Sequence, residues 1–192
     1  MVYIRGHALD FDSWQQAGCE GWSYADVLPY FKRMEGYSSG GDAYRGGDGP
    51  LKVTRPDVEN PIFSSFVRAG EQAGYPVTED INGYLQEGFG RLDRSVHRGR
   101  RWSTSRAYLA PIRSRPNLHV MTGANATKIR TSNNRAIGIE YVRGGHWHYA
   151  AARSDVILSA GAVASPQLLM LSGIGPAAHL RDHGIELVHD LP

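Results

Sequence analysis

The sequence predicts a mixed α/β fold, and three observations predict it. Apolar residues recur at helical spacing over residues 23–37 and again after Asn60-Pro61. Between residues 118 and 150 apolar and polar residues alternate, and Gly144-Gly145 is placed as a two-residue hairpin turn. Val156-Ile157-Leu158 then leads through small residues into a second apolar stretch, the order of strand, tight turn and helix.

Taken in order, residues 1–12 read as extended and break at Asp10-Phe11-Asp12. Helical spacing covers residues 14–19 and 23–37. Ser23 is placed to cap the second of these, with Asp26 three residues on, and Leu28, Phe31 and Met34 share one face. Residues 38–50, rich in Ser, Gly and Asp, form a loop. Asn60-Pro61 opens a helix with Ile62, Phe66 and Ala69 on one side, ending near Gly74. Residues 83–90 are punctuated by Gly and read as irregular. Ser103 or Thr104 caps a short helix that runs to about Ala110, before Pro111.

Four strands follow, near residues 118–121, over 124–130, over 136–143 and over 146–150, with 131–134 as a turn. Val156-Ile157-Leu158 reads as a buried strand. Ser165 and Pro166 read as the cap and first position of a helix over 166–172, with Gly173 as its stop. The final run, residues 187–192, is strand-like and stops without a partner.

Composition narrows the function. In 192 residues, 41% hydrophobic and 21% charged content is ordinary for a globular chain able to form a core. A net charge of +2 is too small to argue for nucleic acid or an anionic membrane. Cys19 stands alone and cannot form an internal disulfide. No apolar run approaches the ~20 residues of a membrane span, and Arg5, His7 and Asp10 interrupt any signal-peptide pattern. These features read as a cytoplasmic protein, with peripheral membrane association of a longer parent left open.

Residues 159–165 are dominated by small side chains, so a large ligand can approach their backbone at the start of a helix, as phosphates do. The same pattern also suits a packed strand-turn-helix with no ligand, or a module for a different nucleotide. The arginines and His97 between Arg91 and Arg106 read as a solvated loop rather than a nucleic-acid site. His146 and His148 lie two apart on one strand with no third metal ligand, so no metal is expected. No nucleophile-elbow motif accompanies the serines and histidines. No Gly-x-Gly-x-x-Gly follows a strand.

Residues 161–175 closely resemble a signature of the glucose-methanol-choline (GMC) oxidoreductases. Ser165-Pro166, Leu169-Met170 and Ser172-Gly173-Ile174-Gly175 all fall at its fixed offsets. Residues 1–14, Gly47-Asp48-Gly49-Pro50, residues 70–82, 86–90 and 101–109 also resemble the family, most of all its choline-oxidising branch. The resemblance implies FAD as cofactor and a small alcohol such as choline as substrate, oxidised by hydride transfer to the flavin. The electron acceptor is left open, as is another primary alcohol or a fragment that binds no flavin. It implies flavin-ring contacts at Met1 and Val2, an adenine contact at the backbone of Ala126, and a close approach of FAD at Ala160 and Gly161.

The resemblance further implies three parts: an FAD-domain strand and helical connection over 1–50, a substrate-domain portion over 51–117, and an FAD-domain meander with the signature helix over 118–192. The family's base histidine and its partner lie in its C-terminal third, so no catalytic residue is assigned. The chain reads as an internal piece of a longer flavoenzyme.

Overall fold

The computed structural model describes residues 1–56 and 60–191. The fold is mixed α/β, as expected, and the chain divides into two compact units, Met1–Leu118 and His119–Pro192.

In the first unit, helix α1 (Ala8–Gln16) begins well before the expected start at Trp14. The reason is a reciprocal cap. His7 Nδ1 accepts the Leu9 N–H at 3.2 Å, and the Asp10 carboxylate accepts the His7 N–H at 2.9 Å. Asp10 therefore starts the helix rather than breaking a strand. Buried Phe11 meets Trp14 and Phe31 edge-on, at 5.2 and 5.6 Å between ring centroids. Helix α2 (Tyr24–Met34) is capped by Ser23 and Asp26 as the sequence predicts. It stops at Met34, short of Tyr37, because strand β1 (Glu35–Tyr37) pairs in parallel with β2 (Leu51–Val53).

Helix α3 (Pro61–Gln72) is capped by the Asn60 carbonyl oxygen, which accepts the Ile62 N–H at 2.9 Å, and the chain leaves it through Gly74. The apolar side read from the sequence is not the more buried one. Ile62 is 78% exposed and Phe66 61%, while Gly70 is buried beneath the Phe89 ring. The apolar spacing was right for a helix, but Phe63, Val67 and Gly70 make the packed side. Strands β3 (Val96–His97) and β4 (Arg100–Arg101) form a tight hairpin. The short helix expected to run to Ala110 is instead a π-helical turn, Ser105–Leu109, followed by a 3₁₀ turn, Ala110–Ile112. Pro111 has no N–H to continue an α-helical ladder. Residues 83–90 are irregular, as expected.

The centre of this unit is charged. Arg45, Glu35 and Asp93 have no exposed surface, alongside the apolar Val53. The Arg45 guanidinium donates to Glu35 at 2.6 Å and to Asp80 and Asp93 at 2.7 Å each, and lies 3.8 Å from the Tyr37 ring centroid. Arg5 donates to the same Glu35 carboxylate and to the Tyr44 carbonyl at 2.6 Å. Arg55 reaches Asp93 at 3.3 Å. Burial works against the charge on Arg45, but the Glu35 and Asp93 carboxylates outweigh it and hold the guanidinium above its usual pKa.

The second unit is a meander. Strands β5 (Ala124–Ser132), β6 (Arg135–Arg143) and β7 (His146–Ala151) are antiparallel in the order β5-β6-β7. Both turns have two residues at positive φ, Asn133-Asn134 at 49° and 59° and Gly144-Gly145 at 58° and 80°. That is the type I′ geometry such loops require. Residues 118–121 are not a strand; Val120 and Met121 are about half exposed, and the ladder begins only after Gly123. Val156, Ile157 and Leu158 are not a buried strand either. Among the described residues no ladder reaches them, and Ile157 is 85% exposed.

Helix α4 (Gly161–Leu171) starts five residues before the expected Pro166. Gly161 enters it at φ +91°, a conformation that bulkier residues resist. Ser165 is inside the helix rather than its cap; its hydroxyl accepts the Ala160 N–H at 3.0 Å. Gly173, at φ +85°, ends the helix as predicted. Strand β8 (Ile174–Gly175), helix α5 (Ala177–Asp182) and strand β9 (His189–Asp190) close the unit. The terminal run thus has a partner after all, since β9 pairs in parallel with β8.

Ser172, buried at the end of α4, ties the helix to the meander. Its hydroxyl donates to the Leu168 carbonyl at 2.6 Å and accepts the Ile129 N–H at 2.8 Å. Ser172→Ala leaves that buried N–H unpaired and is expected to cost about 1–3 kcal/mol in chemical denaturation, with faster amide exchange at Ile129. A wild-type midpoint and wild-type exchange would refute the tie. In the first unit, Glu35→Gln leaves Arg5 and Arg45 undercompensated. Urea unfolding followed by tryptophan fluorescence is expected to show a loss of about 3–5 kcal/mol. A loss below about 1 kcal/mol would show that the network is not a closed one.

Candidate functional site

The first unit presents one free strand edge. The Met1 carbonyl accepts the Ser95 N–H at 3.0 Å, and the Tyr3 N–H donates to the Asp93 carbonyl at 2.8 Å. Val2 faces Arg94 between these two bonds as an antiparallel bridge. In such a pair the central residue's own N–H and C=O point the other way. Among the described residues nothing bonds to either group of Val2, and Met1 and Val2 are 60% and 55% exposed. The adjacent Tyr3 phenol is raised above its ordinary pKa by burial, which the hydrogen bond from Arg5 only partly offsets.

The second unit presents a helix start without bulk. Ala160, Gly161 and Ala162 are exposed, and no atom lies within 4 Å of the place a Cβ on Gly161 would occupy. The first amides of α4 have no intrahelical partner and carry the positive end of the helix dipole. Ala126 lies on β5, an edge strand, beside a bulge where Ala126 and Lys128 pair with successive residues of β6. A backbone on such an edge is open on its unpaired side.

Of the five residues expected at the site, Met1 and Val2 thus form one free edge of the first unit. Ala160 and Gly161 form one turn of the second, and Ala126 lies on a separate element of that unit. His148 stacks on Tyr141 at 5.2 Å, and among the described residues no group of three His, Cys, Asp or Glu side chains could hold a metal. No described helix is long and apolar enough to cross a membrane. Sequence reasoning missed the residues behind the Val2 edge, namely Arg5, Glu35, Arg45, Asn82 and Asp93. Their partners lie up to 79 residues apart, and the only local signal was charge set among glycines and aromatics.

Comparison with known proteins identifies the family. A family model described as GMC oxidoreductase matches residues 1–188. The chain is 54% identical over all 192 residues to an oxygen-dependent choline dehydrogenase of Brucella ovis, and spans 35% of that protein's length. Among solved structures, pyridoxine 4-oxidase from Mesorbium loti matches with a TM-score of 0.90 and 34% identity, over 100% of this chain and 38% of that one. An FAD-dependent oxidoreductase from Chaetomium thermophilum matches with a TM-score of 0.90 and 29% identity, over 100% and 36%. The signature at residues 161–175 and the free edge at Val2 therefore sit in a chain that belongs to the GMC oxidoreductase family.

Proposed function

We propose that this chain is the part of an FAD-dependent alcohol dehydrogenase acting on choline that meets the flavin through Met1, Val2, Ala126, Ala160 and Gly161. The observation that carries the reading is the 54% identity to a choline dehydrogenase along every residue of the chain. The 34% identity to a pyridoxine oxidase makes another primary alcohol the weaker reading. Residues 1–50 and 118–192 would belong to the FAD domain and residues 51–117 to the substrate domain.

The residues fit that cofactor. Val2 offers an N–H and a C=O with no partner among the described residues, which suits the polar edge of a flavin ring. The start of α4 offers unpaired amides and only methyl-sized side chains, which suits phosphate oxygens. Ala126 offers an edge-strand backbone to the adenine. FAD supplies the hydride acceptor that turns choline into betaine aldehyde. The chain's own residues bind and orient it, and no histidine here is assigned as the base for the alcohol proton.

The full-length protein carrying this sequence is expected to purify yellow, and choline is expected to bleach its visible band without oxygen. Gly161→Val should lower the flavin content. Gly161→Ala and Gly161→Leu, neither branched at Cβ, meet the positive φ at similar cost, so a lower flavin content in the Leu variant than in the Ala variant reads crowding of the ligand. Full and equal flavin content in both variants would remove Gly161 from the site. A colourless parent, or one that choline leaves unbleached, would overturn the functional reading.

The 192-residue chain alone is expected to bind FAD weakly and to show no choline-dependent dye reduction. It spans about a third of the length of its relatives, and the absence of a general base typically costs on the order of 10²–10⁴ in rate. Micromolar FAD binding with turnover by the purified chain would show that it is sufficient for catalysis.

A further inference from the structure

The segment from Met1 to Ala8 is held without a neighbouring strand along most of its length. Among the described residues, Met1 and Tyr3 bond the backbone of Ser95 and Asp93, and the His7 carbonyl accepts the Asp10 N–H of the helix that follows. Beyond that, two amide side chains from one irregular stretch take over. Asn82, fully buried, accepts the Arg5 N–H on Oδ1 at 2.8 Å and donates from Nδ2 to the Tyr3 carbonyl at 3.3 Å. Four residues on, Gln86 accepts the Ala8 N–H on Oε1 at 3.0 Å and donates from Nε2 to the Gly6 carbonyl at 3.2 Å.

Each amide therefore bonds the C=O of one residue and the N–H of the next but one. That is the pair of bonds an adjacent strand makes in a ladder. A carboxamide carries an N–H donor and a C=O acceptor side by side, as a peptide group does. Asn82 Nδ2 also lies 3.4 Å from Asp93 Oδ2, so the first clasp is continuous with the buried ion network.

The Asn82 clasp lies on the side of the strand away from the free groups of Val2. Tyr3 and Arg5 have their peptide groups engaged, while those of Val2 and Ile4 have no partner among the described residues. We propose that Asn82 and Gln86 are positioning residues: their side-chain amides stand in for a missing strand and hold residues 1–8 so that the outward edge at Val2 stays fixed against the flavin ring. The proposal rests on the reading that FAD meets the chain at Val2. The clasps themselves do not depend on it.

Two measurements separate the parts. In the 192-residue chain, Gln86→Met keeps the length of the side chain and removes both polar ends at a half-buried site. It is expected to speed exchange of the Ala8 amide about tenfold, with the amides of α2 and β1 in the same unit unchanged as an internal check of folding. Asn82→Ala is expected to do the same at Arg5. Unchanged exchange at Ala8 and Arg5 overturns the clasps.

In the full-length protein, the same variants are expected to release FAD about tenfold faster, and to shift the visible spectrum of the flavin they retain. A merely structural role would lower the yield of folded protein and leave the spectrum of the bound flavin alone. Wild-type spectrum and release rate at full flavin content therefore overturn the positioning role and leave the functional reading standing. A wild-type parent without flavin overturns both, and the exchange result in the short chain still decides the clasps.

Discussion

A guanidinium with no exposed surface organises the first unit. An unpaired charge in that position would be prohibitive, so Arg45 must find carboxylates, and it finds three, from segments 10, 35 and 48 residues away. Glu35 is shared with Arg5, and Asp80 and Asp93 are shared with Arg55. Three arginines meet three carboxylates, and the formal charge closes to zero. Replacing such a network with well-packed apolar residues can be neutral or better for stability, so its worth is not measured by its net energy. Its effect is to admit one arrangement of residues 5, 35, 45, 80 and 93. That explains how a unit with two-stranded sheets and long irregular stretches keeps a single shape.

The second unit solves the same problem by ordinary means. Nine- and six-residue strands pair through type I′ turns, and one buried hydroxyl joins the sheet to the helix. Its ladders satisfy the backbone locally, so it needs no buried charge. In both units the candidate contacts fall where such satisfaction stops: the far side of Val2, the open edge of β5, and the first turn of α4. A backbone group already paired has little to offer a ligand, whereas an unpaired one at a fixed position has a full hydrogen bond to give.

What could be read from the sequence divides along the same line. Local devices were legible: the Ser23–Asp26 cap, the Asn60-Pro61 helix start, the Gly74 and Gly173 stops and the Gly144-Gly145 turn are set by residues within a few positions of each other, whereas the turn read over 131–134 is confined to Asn133-Asn134. So was the family signature, because it is a run of fixed types. The entry to α4 was misread because Pro166 suits a first helical position, while Gly161 suits an earlier one by adopting positive φ, a choice no apolar spacing records. Ile62 and Phe66 share one side of α3 yet are exposed, because spacing reveals that a helix has an apolar side, not what covers it. The ion network and the amide clasps were illegible for a simpler reason. Arg5 and Asn82 are ordinary residues until the fold brings them together across 77 positions.

The field at the start of α4 follows from what the sequence omits. Residues 156–180 contain no Asp, Glu, Lys or Arg. The positive potential there comes from the backbone, roughly half an elementary charge at the end of the helix, and from amides that Gly161 and Ala162 leave uncovered. A nearby lysine or arginine would add more charge, but on a side chain that swings and is screened by water and salt. Amides at the end of a helix cannot move without the helix, and Ser172 holds the other end of α4 to β5. A helix end of this kind would meet an anion by position rather than by excess charge, which agrees with a net charge of only +2.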